Sequence, residues 1–138
     1  MKELLIVFHS QSGNTRRLAE AVAAGARLEE GVRVRVLRAQ DAGMAELASA
    51  DGLLIGAPEN FATLSGAMKD FFDRCFYPAI EQGLRLPYAL FISAGNDGSG
   101  AIRQLSTILR GIPFKAVAEP VLCLGEADDS MLEQSRDL

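Results

Sequence analysis

The chain has 138 residues, of which 49% are hydrophobic and 23% charged, and its formal net charge is -4 at pH 7. These values are typical of a single globular domain, which we expect to span residues 1–138, and they exclude disordered and fibrous classes. Lysine and arginine are scattered and give no basic excess, which disfavours nucleic acid as a partner.

Cysteine spacing and the start of the chain favour a cytoplasmic protein. Cys75 and Cys123 are far apart and form no metal-ligand motif, so we expect neither a bound metal nor a disulfide. The apolar run that follows Met1 is too short for a signal peptide. No stretch reaches the roughly 20 apolar residues of a membrane-spanning helix. We therefore expect a soluble cytoplasmic protein with no membrane span.

Apolar runs in the sequence predict five β-strands. The runs at 4–8, 53–55 and 89–92 are wholly apolar, which is typical of central strands that are covered on both faces of a parallel sheet. Residues 32–37 alternate valine with other residues, mostly arginine, and indicate an outer strand. A fifth strand is predicted over 115–124, and its internal Pro120 indicates an edge position or a bulge because proline cannot donate to a ladder.

The segments between the predicted strands have apolar residues at helical spacing. An apolar stripe from Leu18 to Leu28 predicts an amphipathic crossover helix after the first strand. A second stripe at 68–76 follows Ser65, which we predict as its N-cap. A third stripe at 102–109 ends near Gly111, which we predict as a left-handed C-cap.

A shorter helix is predicted over 43–50 and a last one from Asp128. Strand and helix thus alternate five times along the chain. Because right-handed crossovers place helices over a parallel sheet, this alternation predicts an α/β protein whose parallel sheet is covered on both faces.

The segment after the first predicted strand is rich in small polar residues. Ser10, Ser12, Asn14 and Thr15 surround Gly13 there. Backbone N–H groups at a helix N-terminus and nearby hydroxyls can hold an anion without lysine. Neither the Walker A pattern nor the dinucleotide fingerprint is present, which favours a phosphate monoester. The same residues are also typical of a plain turn and helix cap, and this segment alone leaves that alternative open.

Two further polar loops follow the third and fourth predicted strands, at 56–66 and 93–100. In an open α/β sheet, ligands bind outside the carboxyl ends of the strands, where the strand order reverses. We therefore expect the three loops to converge on one site.

The sequence resembles the flavodoxin-like flavoproteins. Residues 10–15 are similar to their phosphate loop, and residues 56–58 followed by 66–71 are similar to the strand-three region of the flavodoxin-like NAD(P)H:quinone oxidoreductases. The resemblance implies a single-domain flavodoxin-like three-layer sandwich with a five-stranded parallel sheet of order 2-1-3-4-5 and helices on both faces. It also implies FMN as the cofactor.

The resemblance further implies which residues bind FMN. The phosphate ligands would be Ser10, Ser12, Gly13, Asn14 and Thr15. The residues along the isoalloxazine would be Pro58, Glu59, Asn60 and Phe61. The third wall would be Ser93, Ala94, Gly95, Asn96, Asp97 and Gly98. The role of Glu59 and Asp97 stays open: each acid either tunes the redox potential of the flavin or is only a terminal residue of its loop.

The implied function is NAD(P)H-dependent reduction of a quinone or a similar small acceptor through bound FMN. The flavin would carry this chemistry, so no catalytic side chain is expected. Alternatives are a non-enzymatic electron carrier that docks to a redox partner protein and a flavin-free binding module. The chain has no tryptophan, and neither Tyr77 nor Tyr88 lies in a candidate loop, which disfavours the carrier. No nucleophile or acid in the sequence forms a catalytic triad with His9, so we expect His9 to be structural. A homodimer is compatible with these expectations.

Overall fold

The computed structural model describes residues 2–10, 13–28, 30–60, 63–94, 99–112, 114–117 and 120–124. The elements in chain order are β1 (Lys2–Phe8), α1 (Asn14–Ala26), β2 (Val32–Arg38), α2 (Met44–Ser49), β3 (Gly52–Asn60), β4 (Thr63–Leu64), α3 (Gly66–Glu81), β5 (Pro87–Ala94), α4 (Ser99–Gly111), β6 (Lys115–Ala116) and β7 (Val121–Leu124). The helix predicted from Asp128 lies outside the described residues. None of the helices in the described part of the chain is long and apolar enough to cross a membrane.

The strands form one sheet with a parallel core in the order β2-β1-β3-β5. Both β6 and β7 pair parallel with β5, on its outer side. They are the two parts of the predicted fifth strand, and Pro120 lies between them. The predicted five-stranded parallel sheet of order 2-1-3-4-5 is therefore confirmed, with the short antiparallel β4 added beside β3.

Apolar side chains form one core on each face of the sheet, because successive strand residues point to opposite faces. In β1, Ile6 and Phe8 belong to the core beneath α1, whereas Leu5 and Val7 belong to the larger core beneath α2, α3 and α4. This division confirms the predicted three layers.

Arg74 of α3 fixes the chain segment that follows β2. Its Nη1 donates to the carbonyl of Ala42 at 2.7 Å, and its Nη2 donates to that of Ala39 at 2.9 Å. Its Nε donates to the Asp70 carboxylate one turn earlier on the same helix, also at 2.9 Å. Since a charged donor satisfies two backbone carbonyls, this side chain holds the turn at 39–42 against α3.

Two predicted helix ends are wrong. Leu28 is 73% exposed and lies beyond the end of α1, and Ala19 and Ala23 complete the buried face of that helix instead. Gly111 is still helical, and its φ lies outside the left-handed region. A Cβ at this position would lie 3.1 Å from Phe76 Cζ. Glycine is therefore favoured there by close packing and not by a left-handed cap.

The third and fourth predicted strands also continue further than their apolar runs. Pro58, Glu59 and Asn60 were expected in a loop, but they are the last residues of β3. The chain then turns back, so that Glu59 pairs with Leu64 and Asn60 with Thr63 in an antiparallel ladder. In the same way Ser93 belongs to β5 and not to the loop after it.

Candidate functional site

The connection between β1 and α1 carries a glycine in the left-handed region. Gly13 has a φ of +98°, a conformation that residues with a Cβ rarely adopt. Its backbone N–H donates to Ser10 Oγ at 3.0 Å, which stabilises the turn. A Cβ at Gly13 would meet no atom within 4 Å. The space beside Gly13 is therefore open, and backbone N–H groups and the helix dipole at a helix N-terminus attract an anion.

A buried hydrogen bond connects α1 to β5. The hydroxyls of Thr15 and Ser93 lie 2.7 Å apart, and the two residues are 1% and 6% exposed. Ser93 in turn pairs in register with Pro58 on the neighbouring strand β3. The structure thus places Thr15, Ser93 and Pro58 side by side, one from each of the three predicted binding segments.

The other predicted site residues divide into two groups. The backbones of Asn14, Glu59, Asn60 and Ala94 lie in α1, β3 and β5, at the same carboxyl edge of the sheet. The remaining ones lie outside the described residues, namely Ser12, Phe61, Gly95, Asn96, Asp97 and Gly98.

Two phenylalanines and a glycine form a row beneath the β1–α1 connection. Phe8, Gly56 and Phe91 are register partners on β1, β3 and β5. A Cβ at Gly56 would overlap Cε2 and Cζ of the buried Phe91 ring and lie 2.7 Å from its Cδ2. His9 follows Phe8, and its backbone N–H donates to the carbonyl of Gly56 at 3.0 Å. The row requires glycine at its centre, because the ring occupies the space of any side chain.

Two buried polar atoms near these elements have no hydrogen-bond partner among the described residues: His9 Nδ1 and Ser65 Oγ. Buried polar atoms are nearly always paired in proteins, so these two are exceptions. Ser65 lies at the predicted N-cap position of α3, but its hydroxyl makes no capping hydrogen bond. Burial lowers the pKa of His9, which favours the neutral imidazole.

A cavity of about 660 Å³ opens beside the β1–α1 connection, between α1 and the end of β2. Two predicted phosphate ligands, Ser10 and Gly13, line it. Its other walls include the apolar Phe8 and Val36 and the charged residues Arg16, Glu20, Arg38 and Asp41. Sequence reasoning did not predict this cavity, since its charged residues match the ordinary pattern of an exposed helix and an outer strand.

Cys75 does not contribute to either region. It is fully buried in the core beneath α3, as predicted for a small apolar residue, and burial raises the pKa of its thiol. A thiol in this position is a poor nucleophile at neutral pH.

The fold is shared with solved flavodoxins. A flavodoxin from the domain Archaea superposes with a TM-score of 0.86 at 23% sequence identity, over 99% of this chain and 92% of that one. At this level of identity the similarity shows the fold alone.

Relatives found by sequence include a flavodoxin and a quinone dehydrogenase. A flavodoxin of Aquifex aeolicus (strain VF5) is 41% identical over 53% of this chain and 40% of its own length. An NAD(P)H dehydrogenase (quinone) of Acidithiobacillus ferrooxidans (strain ATCC 53993 / BNL-5-31) is 32% identical over 54% of this chain and 47% of its own length. The chain thus spans less than half of either relative.

The strongest evidence on family is a match of residues 41–129 to the sequence profile of the NADPH-dependent FMN reductases. The matched region contains Pro58 and Ser93, whereas the segment from Ser10 to Thr15 precedes it. Because the match covers more than half of the chain, the protein belongs to the NADPH-dependent FMN reductase family, an FMN-binding group with the flavodoxin-like fold.

Proposed function

We propose that the chain is the FMN-binding part of an NAD(P)H-dependent oxidoreductase that reduces a quinone or a similar small acceptor. The observation that carries this proposal is the junction of Thr15, Ser93 and Pro58 beside the open left-handed Gly13. The names of the family and of the quinone dehydrogenase relative support the activity.

The described residues fit the phosphate end of FMN. The open N-terminus of α1 offers backbone donors, and Ser10 and Thr15 add hydroxyls. A hydroxyl has one hydrogen to donate and two acceptor sites, so when Ser93 donates in its bond with Thr15, the Thr15 hydroxyl can donate to a phosphate oxygen. We include Ser12 and Asn14, which complete this segment in the sequence.

The ring end of the site would be formed by the carboxyl ends of β3 and β5. Pro58 and Ser93 are adjacent there and supply the first part of the wall. We propose that the residues that follow them in sequence complete it: Glu59, Asn60, Phe61, Ala94, Gly95, Asn96, Asp97 and Gly98. FMN supplies the redox chemistry when it is bound, and the protein binds and orients it.

Two glycine variants test the phosphate site. Gly13 and Gly31 are both left-handed, with φ values of +98° and +80°, and neither would bring a Cβ within 4 Å of another atom. Alanine at either position therefore costs a similar backbone strain, on the order of 1–2 kcal/mol. Gly31 precedes β2 at the opposite edge of the sheet, where its carbonyl accepts from the Lys2 N–H. It is a matched control outside the proposed site.

The measurement is the dissociation constant of FMN, from quenching of flavin fluorescence. We expect Gly13→Ala to weaken binding by about tenfold or more, because one lost charge-assisted hydrogen bond has this effect. Gly31→Ala should leave the constant unchanged. Equal constants for the two variants, or a wild-type chain that does not bind FMN, would contradict the phosphate site.

A flavodoxin-type electron carrier is the second candidate, favoured by the 41% identity to the Aquifex flavodoxin. Steady-state oxidation of NADH or NADPH by the FMN-loaded chain, with benzoquinone as acceptor, separates the two functions. Sustained turnover supports the reductase. An FMN-loaded chain that does not turn over but accepts electrons from a reduced partner protein supports the carrier.

A cytoplasmic location and a homodimer are further parts of the proposal. So is a single domain over residues 1–138.

A further inference from the structure

We propose that Ser93 is a positioning residue that makes the site select a flavin with a phosphate over a flavin without one. Its hydroxyl donates to Thr15 and thereby directs the Thr15 proton toward the phosphate of FMN. Because it concerns the phosphate site, the inference rests on the proposed function. It gives the Ser93 hydroxyl a role other than contact with the flavin.

The side chain of Ser93 lies on the α1 face of the sheet. Side chains two residues apart in a strand share a face, and Phe91 of β5 belongs to the core beneath α1. Ser93 follows Phe91 on this face, and its hydroxyl lies 2.7 Å from that of Thr15. Strands on both sides hold its backbone, since Ser93 pairs with Pro58 of β3 and with Cys123 of β7. The backbone that carries this hydroxyl is therefore fixed before any ligand binds.

Packing between α1 and β5 does not require a pair of hydroxyls. Thr15 is 1% exposed and Ser93 is 6% exposed, so both groups are withdrawn from water. Replacing both partners of a buried hydrogen bond by apolar groups of the same shape can be nearly neutral for stability. Apolar side chains would thus fill this space equally well. Two hydroxyls here, one of them on the second residue of α1, indicate a role toward a ligand.

The chemistry of the phosphate decides which hydroxyl donates. Without a ligand, either hydroxyl can donate to the other. The oxygens of a phosphate dianion are acceptors, so Thr15 can bind one only by donating its single proton. The Ser93 hydroxyl must then donate to Thr15 Oγ1, which still has acceptor sites. The pair reverses its direction in this way without losing a bond, and consecutive hydrogen bonds strengthen each other.

The contribution of Ser93 should therefore depend on the phosphate. Thr15 is too deeply buried for water to replace Ser93 as its donor. Riboflavin has the ring and the ribityl chain of FMN but no phosphate. We expect the loss of the Ser93 hydroxyl to weaken the binding of FMN and to leave that of riboflavin unchanged.

The test compares the dissociation constants of FMN and riboflavin for the full chain, both from quenching of flavin fluorescence. Ser93→Ala should weaken FMN binding about threefold to tenfold, the effect of one net hydrogen bond, and leave the riboflavin constant unchanged. Ser93→Thr keeps the hydroxyl and should recover most of the affinity for FMN. Ser65→Ala is the matched control, since it removes a buried serine hydroxyl that has no hydrogen-bond partner within the described ranges. It should change neither constant.

A double-mutant cycle separates positioning from direct contact. In the Thr15→Val background the receiving hydroxyl is absent, so Ser93→Ala should no longer change the ratio of the two dissociation constants. A change of the same size in both backgrounds would overturn the proposal, because Ser93 would then act without Thr15.

Three further results would overturn it: an FMN constant that Ser93→Ala leaves unchanged, an equal loss of FMN and riboflavin binding in that variant, or a wild type that binds the two flavins equally well. The equal loss would place the hydroxyl against the ring. In each of these cases the wild-type chain still binds FMN, so FMN binding as such is not contradicted. A wild-type chain that binds neither flavin contradicts the proposed function and this inference with it.

Discussion

The row of Phe8, Gly56 and Phe91 allows a quantitative test of packing in the centre of the sheet. In the Gly56→Ala variant, the new Cβ would overlap the edge of the Phe91 ring, which is fully buried beneath α1. The ring cannot rotate into solvent, so the strands or α1 must shift. Such overpacking of a core costs about 1–3 kcal/mol. For a chain of this size, the corresponding fall in Tm is roughly 4–12 °C.

Gly52 is the matched control on the same strand. A Cβ at Gly52 would lie 3.5 Å from Leu4 Cδ1, an ordinary contact. Alanine at a compatible position stabilises a protein by about 0.4–1 kcal/mol, through the lower entropy of the unfolded chain. We therefore expect Gly52→Ala to be neutral or slightly stabilising. The free energies of unfolding of the two variants should differ by about 1–4 kcal/mol.

Urea unfolding followed by circular dichroism gives these free energies, provided that the m-value is unchanged. A double-mutant cycle with Phe91→Leu then identifies the cause. With the ring removed, Gly56→Ala should cost at least about 1 kcal/mol less than in the wild-type background. The reasoning is refuted if Gly56→Ala and Gly52→Ala are equally stable, or if the cycle shows no coupling.

Three further predictions concern single side chains. Thr15→Val should lower the free energy of unfolding by about 1–2 kcal/mol, because the buried Ser93 hydroxyl loses its partner, and Thr15→Ser should recover most of the loss in the same urea assay. The lowered pKa of His9 means that its neutral form contributes stability above the unfolded pKa of about 6.5, and that this stability is lost as the pH falls toward the folded-state pKa. Wild type should therefore lose more stability than His9→Gln between about pH 7.5 and pH 5, and equal losses would contradict this sign. Arg74→Met should cost about 1–3 kcal/mol by leaving two backbone carbonyls without a charged donor, whereas Lys69→Met, which breaks only an exposed pair, should cost less than about 0.5 kcal/mol in a thermal melt.

Burial explains why most of the fold could be predicted from the sequence. Continuous apolar runs such as 4–8 and 89–92 occur where a strand is covered on both faces, so the run by itself indicates a central strand. The ends of elements carry a weaker signal. Pro58 is unfavourable in a strand, but β3 continues through it because Pro58 pairs with Ser93 of β5, and β4 then pairs with the two residues that follow. Gly111 is typical of a helix cap, yet its environment is set by Phe76, a contact between two helices that local sequence does not encode.

The candidate sites differ in the same way. The left-handed glycine turn of the β1–α1 connection lies in a segment that the sequence marks by its glycine and hydroxyls, and the binding of phosphate there stays a prediction. The rest of the cavity beside β2 could not be predicted, since apart from Ser10 and Gly13 its walls come from separate elements and each wall residue is ordinary in its own element. Arg38 and Asp41, for example, form an i, i+3 ion pair like many on exposed surfaces. Only the way that α1 lies against the edge strand brings them together with Phe8 and Arg16.

The hydrogen bond between Thr15 and Ser93 has a consequence for synthesis on the ribosome. It joins residues that are 78 positions apart, and β3 must be inserted between β1 and β5 before the two hydroxyls can meet. A nascent chain that ends before β5 therefore holds the glycine turn and the start of α1 but lacks the partner that locks them. The proposed capture of a phosphate by the first segment accordingly has to wait until β5 has been made.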